Sequence, residues 1–438
     1  MPNKKAVVVL GAGFGGLRTA ILLSKKIRGN PSAGGCEIVL IDRNDYHTYT
    51  PTLYETATTS KEVANYLDLK QIVTFPIREL IKGAGIRFIQ SEVEKLDLVG
   101  GDIHLLRPGS AQGAEKLKFD YLVLAPGSEI NYFDIPGLKE NSLALKTFID
   151  ALKIRDKILA ETESGKKTME ILIGGGGSTG VELAGEINGW LGEIKKEGSR
   201  RLATLTLVEA SPSVLSGFPE KIVKKAGVRL GKLGVNIITN EAIETVEKNK
   251  VILSAGGGSS SGGKSGREIA YDVLIWTGGV KAAGLMGSLP LKMENRGRVE
   301  VAGELECLPQ TPDLKLYGKI YGLGDAVCFY DPVTGKPIPG VARAALSQAK
   351  VVAHNVFCDI QKNKNRKKYK PMEYPYVIPI GGKWAIVKIG PFVIAGFCGW
   401  ILKGLVELNY LLSIMPFFKA IKLWLTGLRI FVQNDRLG

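Results

Sequence analysis

An α/β fold of two Rossmann-like dinucleotide-binding domains, followed by a C-terminal amphipathic-helical region, is what this sequence predicts. Three observations predict it: a glycine-rich turn between a buried strand and a helix at residues 6–23, a second such turn at residues 170–187, and a basic, aromatic tail. In the first, Val7 to Leu10 read as a buried parallel strand, and Gly11-Ala12-Gly13-Phe14-Gly15-Gly16 gives a G-x-G-x-x-G turn ahead of an apolar-periodic helix. Gly11 allows the tight turn, Gly13 lets the backbone approach a pyrophosphate, and Gly16 lets helix and strand pack closely. The helix start then offers free N–H groups and a positive dipole end to phosphate. The next strand, residues 38–41, ends in Asp42, an acid placed to bind a ribose hydroxyl. Strand, turn, helix and acid together mark a site for an adenine dinucleotide.

The chain continues with a polar stretch in which His47 reads as a solvated loop histidine, although a flavin ring would sit near it and residues 51–53. Residues 70–81 read as one helix, 86–89 and 93–98 as short strands, and 100–116 as a Gly-rich hairpin or loop. The buried strand 121–124 closes on Ala125-Pro126-Gly127, small residues that admit a cofactor backbone. A helix over 147–163 leads into the second unit. There, the strand 170–173 precedes Gly175-Gly176-Gly177-Ser178-Thr179-Gly180, and the strand 205–208 ends in Glu209. An acid at that position, with no arginine directly after it, favours NADH over NADPH. This internal repeat fixes the architecture. Glu182, two residues into the second helix, is either a plain first-turn carboxylate or a group that orients nicotinamide. Residues 256–266 form a Gly/Ser loop. The strand 271–275 closes on Trp276-Thr277-Gly278-Gly279, and a third, residues 320–323, closes on Gly324-Asp325, where an aspartate can accept from ribityl hydroxyls.

At 438 residues the chain has room for two or three domains, here 1–145 and 286–370 for the first dinucleotide site, 146–285 for the second, and 371–438 for the tail. A net charge of +15 points to nucleic acid or an anionic membrane surface, and no nucleic-acid module is visible. Five scattered cysteines suggest neither a disulfide framework nor a metal site, and read as reduced thiols. The first strand starts just after the initiator methionine, so no signal peptide is expected. No eighteen-residue uncharged apolar run exists, so no ordinary spanning helix is expected either.

Residues 362–370, KNKNRKKYK, carry six basic side chains and no acid just before the most apolar part of the chain. Pro416 separates two helices, about 400–412 and 416–432. In the second, Lys419, Lys422, Thr426, Arg429 and Gln433 form a polar stripe opposite Phe417, Ile421, Trp424, Leu425, Leu428, Phe431 and Val432. Such a helix lies in a membrane interface without spanning it. A homodimer contact or a core helix is the plainer alternative.

In sequence order, GAGFGG at Gly11, DRNDYH at Asp42, TPTLYE at Thr50, GGGSTGVELAGE at Gly175, WTGGV at Trp276 and GLGDA at Gly322 resemble the two-dinucleotide-binding flavoproteins of glutathione-reductase-like fold. Within them the chain is similar to the type II, non-proton-pumping NADH:quinone oxidoreductases. The resemblance implies FAD held by Gly11, Ala12, Gly13, Phe14, Gly15, Gly16, Asp42, Arg43, Ala125, Gly127, Gly324 and Asp325. It implies NADH held by Gly175, Gly177, Ser178, Thr179, Gly180, Glu209, Thr277 and Gly278. It further implies a quinone acceptor, peripheral attachment at the cytoplasmic face of the cell membrane, and no metal. The family's quinone-side helix reads A-Q-x-A-x-Q, whereas this chain has Arg343 and Ser347 at both glutamine positions, with Gln348 one position on. Glu182 and Gln348 are the candidate catalytic residues. The rivals are a sulfide:quinone or other flavin oxidoreductase, which would need a cysteine pair by the flavin, and a non-catalytic flavin or NADH sensor at the membrane.

Overall fold

The computed structural model describes residues 5–30, 35–106, 115–164, 167–196, 202–254 and 266–434. Its main elements are, in order, β1 (Lys5–Leu10), α1 (Phe14–Arg28), β2 (Cys36–Asp42), α2 (Leu53–Thr56), α3 (Tyr66–Val73), β3 (Ile86–Gln90), β4 (Tyr121–Leu124), β5 (Leu143–Ala144), α4 (Phe148–Glu163), β6 (Thr168–Gly174) and α5 (Ser178–Lys196). There follow β7 (Leu202–Glu209), β8 (Asn236–Thr239), β9 (Val273–Trp276), β10 (Lys319–Gly322), α6 (Ala342–Ile360), β11 (Tyr376–Pro379), β12 (Ala385–Ile389), β13 (Phe392–Gly396), α7 (Phe397–Ile414) and α8 (Phe417–Asn434).

The chain divides into two compact units. The first comprises Met1–His47, Phe75–Glu129 and Val280–Tyr374. Its parallel sheet has the order β10-β4-β1-β2-β3, with Leu10 level with Ile41 on one side and Leu124 on the other. Val7, Val8 and Val9 are fully buried in the middle of this sheet, each contributing about 1.5–3 kcal/mol by burial. Helices α1 and α6 pack against each other beside it.

The second unit comprises Thr48–Thr74, Ile130–Gly279 and Pro375–Gly438. Its parallel sheet has the order β5-β9-β6-β7-β8, with Gly174 level with Val208 and Trp276. The two sheets thus repeat one plan: a central strand leading to the glycine turn, the acid-bearing strand on one side, the closing strand on the other. Residues 48–74 and the tail belong to the second unit, whereas the sequence groups the former with the first domain and sets the tail apart. Within this unit α2 packs on α4 and α5, α8 touches α3, and α7 lies on the antiparallel sheet β11-β12-β13.

Local signals explain the element ends. Thr147 and Asp150 form a reciprocal capping box that starts α4. The expected helix over 70–81 is instead two pieces. Asn65 and Asp68 cap α3 early at Tyr66, and Pro76 pushes the residue before it into extended geometry. Only one helical turn, Ile77–Leu80, follows. The Gly/Ser loop lies outside the described residues except for Gly266, as do residues 107–114 of the Gly-rich hairpin. The tail helices meet at Pro416 as expected. Helix α7 is long and apolar enough to cross a membrane by length and composition, contrary to the sequence expectation, yet at 1.5 Å per residue it spans only about 27 Å. It buries Lys403 against its own unit.

Candidate active site

In the first unit, Gly11 adopts a φ of 96°, and a Cβ there would lie 2.1 Å from the Ala125 carbonyl oxygen. A Cβ on Gly16 would lie 1.8 Å from the Gly11 carbonyl oxygen. Both positions therefore exclude any side chain. Gly13 has nothing within 4 Å of a Cβ and lies exposed at the N-cap of α1, whose first turn carries no acid and no capping side chain. The turn is closed against Ala125 and has open space at Gly13, at the start of α1, the shape an anionic pyrophosphate needs. Asp42 accepts from Ala12 N at 2.7 Å and Asn44 N at 2.8 Å. Burial nevertheless raises its pKa, against these bonds and the Arg43 charge. Arg43 itself is exposed.

His47 is not a solvated loop histidine. It is 2% exposed, its Nδ1 lies 2.9 Å from the Ala12 carbonyl oxygen, and Phe14 meets its ring edge-on at 5.1 Å. Desolvation lowers its pKa to about 4, so the neutral ring donates from Nδ1 and steadies the glycine turn. At the third closure, Asp325 accepts from Ser128 Oγ at 2.8 Å, and the buried Gln348 side chain accepts from Gly324 N at 2.8 Å. Gln348 thus holds the loop that carries Asp325. Ser347 stays on α6 within 3.2 Å of the Tyr369 and Tyr374 hydroxyls.

The second unit repeats the cradle in detail. Gly175 has a φ of 103° and backs onto Gly278, and a Cβ on Gly180 would lie 2.0 Å from the Gly175 carbonyl oxygen. Gly177 has open space. Glu209 accepts from Gly176 N at 2.6 Å and Ser211 N at 2.7 Å, the same backbone clip that fastens Asp42. Thr277 donates to the Gly174 and Gly175 carbonyls, locking the closing strand to the turn. Ser178 and Thr179 open α5 beside the exposed Gly177. Both cradles fit a dinucleotide, by the space left at Gly13 and Gly177.

Helix α5 carries Glu182 into a cluster that sequence patterns do not reveal. Lys403 on α7 lies 2.6 Å from Glu55 on α2 and 3.1 Å from Glu407. Its ammonium also sits 5.7 Å from the centre of the Tyr54 ring. Glu55 is 3% exposed and Lys403 9%. Part of Glu182 reaches solvent, but the atoms packed round its carboxyl push its pKa up to about 8, with Lys403 opposing the rise and Glu55 adding to it. Tyr54 is raised further, by burial and by Glu55, Glu182, Glu186 and Glu407. Burial is what leaves Glu182 protonated at neutral pH, with Glu55 adding to it and the Lys403 ammonium working against it. Glu55 and Lys403 are 348 residues apart in the chain. All five cysteines are free thiols, and no metal-binding group of His, Cys, Asp or Glu occurs among the described residues.

The family model for pyridine nucleotide-disulphide oxidoreductases matches residues 5–349. A type II NADH:quinone oxidoreductase of Staphylococcus aureus is 30% identical over 364 residues, covering 81% of this chain and 82% of its own. The type II NADH:quinone oxidoreductase Ndh of Mycobacterium tuberculosis is 27% identical over 441 residues, covering 97% and 88%. Among solved structures, NDH2 of Plasmodium falciparum in complex with NADH superposes with a TM-score of 0.80 at 18% identity, covering 99% of both chains. The sulfide:quinone oxidoreductase of Aquifex aeolicus gives 0.71 at 20% identity, covering 99% of this chain and 93% of that one. These structural likenesses speak to the fold.

Proposed function

We infer the function from one premise: this chain belongs to the pyridine nucleotide-disulphide oxidoreductase family and, within it, to the type II NADH:quinone oxidoreductases. It is an FAD-dependent NADH dehydrogenase that delivers two electrons to a quinone without pumping protons. When bound, FAD would supply the redox chemistry between NADH and the quinone, and the protein supplies orientation and charge. The first cradle, with Asp42, Asp325 and the backbone of Gly11 to Gly16, holds FAD. The second, with Glu209 and the turn at Gly175 to Gly180, holds NADH, and its fastened carboxylate favours a free ribose 2′-hydroxyl.

What supports the site reading is that the helix that follows the second glycine turn carries Glu182 into the electrostatic reach of the buried Glu55–Lys403 pair, where burial raises its pKa to about 8. NADH, a quinone and one proton give NAD+ and a quinol: the hydride supplies both electrons and one hydrogen, and one further proton has to be provided. Glu182 positions the nicotinamide and holds one proton at neutral pH. Lys403 stabilises its anion once that proton leaves. Gln348 acts as a positioning residue, through the Gly324 loop.

The exposed Phe392, Phe397, Ile401, Leu405, Phe417, Phe418 and Leu425, with Lys419, Lys422 and Arg429, support a tail lying in the interface of an anionic bilayer, at the cytoplasmic face. A thiol-dependent acceptor reaction would need a cysteine pair, and the five cysteines are single thiols. The test is anaerobic mixing with NADH followed by a quinone. Bleaching of the flavin band and its recovery on quinone addition are expected. Bleaching without recovery would favour the sensor, and no bleaching would overturn the donor.

A further inference from the structure

The first unit carries a basic cavity that the redox chemistry does not use. It measures about 600 Å3 and is lined by Lys5, Lys319, Lys362, Lys364 and Arg366, with Asp120 and Asp359. It opens where β1, β4 and β10 begin, whereas the FAD cradle sits where β1 and β2 end. We propose that this cavity binds a small anion carrying two or more closely spaced phosphates.

Both carboxylates in the wall are already engaged. Asp120 accepts from Ala6 N at 2.7 Å. Asp359 accepts from Tyr321 Oη at 2.5 Å and has Lys319 Nζ at 3.4 Å and Arg366 Nε at 3.8 Å. Arg366 also bonds Tyr321 and pairs with Glu306. Among the described residues, Lys5, Lys362 and Lys364 have no ion pair. The negative end of α6, equivalent to about half a charge, does not use up that surplus. Its last carbonyls are already met by N–H groups of Gln361, Lys362 and Asn363.

The basic stretch is fastened rather than loose. Asn355 donates from Nδ2 to the Lys367 carbonyl at 2.8 Å and accepts Lys367 N at 2.7 Å. His354 Nε2 meets the Asn365 carbonyl at 2.9 Å, and Asn363 Oδ1 accepts Asn365 N at 2.9 Å. Lys362 is held at a φ of 53°, a left-handed conformation a lysine does not choose unforced. A fixed loop that presents unpaired ammonium groups into a hollow has its ordering cost met on folding, which favours binding. Clustered phosphate charge fits this better than a single carboxylate, since several cations must be satisfied at once.

The test titrates tripolyphosphate into FAD-loaded enzyme saturated with NAD+, so that the second cradle is filled, by calorimetry at low and moderate salt. Saturable binding is expected, weakening as salt rises. The exposed pair Lys362→Glu and Lys364→Glu should weaken it by about tenfold for each reversed lysine, with flavin content and the rate of bleaching by NADH unchanged. Vesicles with and without phosphatidylinositol 4,5-bisphosphate, whose headgroup carries two adjacent phosphates, form a second arm. Loss of binding to that lipid in the double variant would place the phosphates on a lipid headgroup, and its retention would leave a soluble anion as the ligand. No saturable binding, or equal binding by the double variant, overturns the proposal.

Discussion

Replacing Glu182 by glutamine is expected to stabilise the FAD-loaded enzyme above neutral pH, the reverse of what losing a polar site residue ordinarily does. Glu182 titrates at about 8 in the folded protein, against an ordinary value of 4.5. Between those values the unfolded chain releases a proton that the folded protein keeps, so stability falls as pH rises. Below about 4.5 both states hold the proton and no penalty exists. At about 1.4 kcal/mol per pH unit the penalty reaches roughly 3 kcal/mol by pH 7, and relaxation around a partly exposed carboxyl brings it to about 1–3 kcal/mol. Glutamine mimics the neutral acid at every pH and escapes it. Thermal scans of wild type and Glu182→Gln at about pH 5, 7 and 8.5 should show melting temperatures that agree in acid and diverge by a few degrees in base. A difference that stays constant across this range would refute the assignment of the proton to Glu182.

The glycine cradles make a graded prediction. Gly13→Ala should fold but retain FAD about tenfold to a hundredfold less tightly, as a methyl displaces phosphate from the N–H groups. Gly177→Ala should raise the KM for NADH by a similar factor with flavin content unchanged, whereas Gly16→Ala should fail to fold. His47 stays neutral down to about 4 in the fold, so stability falls as pH drops from 6.5 toward 4, by up to about 3 kcal/mol. His47→Gln should flatten the acid limb of an unfolding titration, and an unchanged limb would contradict the buried neutral ring. Phe417→Ser with Phe418→Ser removes two exposed rings, each worth about 1.5–3 kcal/mol when buried in lipid. Vesicle flotation should weaken by a hundredfold or more, and turnover with a water-soluble quinone should persist.

Both sheets were legible because their signals are local. A hydrophobic strand, a glycine turn and an acid at the end of the next strand lie within a few dozen residues, and Asp42 and Glu209 each fold back on the turn they follow. The burial of His47 is not legible in sequence, because nothing beside it shows that Ala12 and Phe14 close over it. The helix expected at 70–81 ignored the veto of Pro76 on the backbone before it, and the early cap at Asn65. The Glu55–Lys403 pair could not be read at all, because its members come from distant stretches and only the folded second unit brings them together. The one available hint was a lysine and a glutamate one helical turn apart inside an apolar helix, which invites a question about their partners. Ser347 appeared in sequence only as a lost glutamine, and its two tyrosine neighbours give it a hydroxyl network instead.

The clip that fastens Asp42 to Ala12 and Asn44, and Glu209 to Gly176 and Ser211, sets each carboxylate's aim when the chain folds, before any nucleotide arrives. A sugar bearing an extra phosphate meets a negative group that cannot swing aside without abandoning main-chain amides of its own loop. With Glu209 at the NADH ribose, as proposed above, discrimination between the two pyridine nucleotides is a property of the resting protein. Changing coenzyme preference would require rebuilding the loop around Ser211, since exchanging the acid alone would leave two amide hydrogens without a partner.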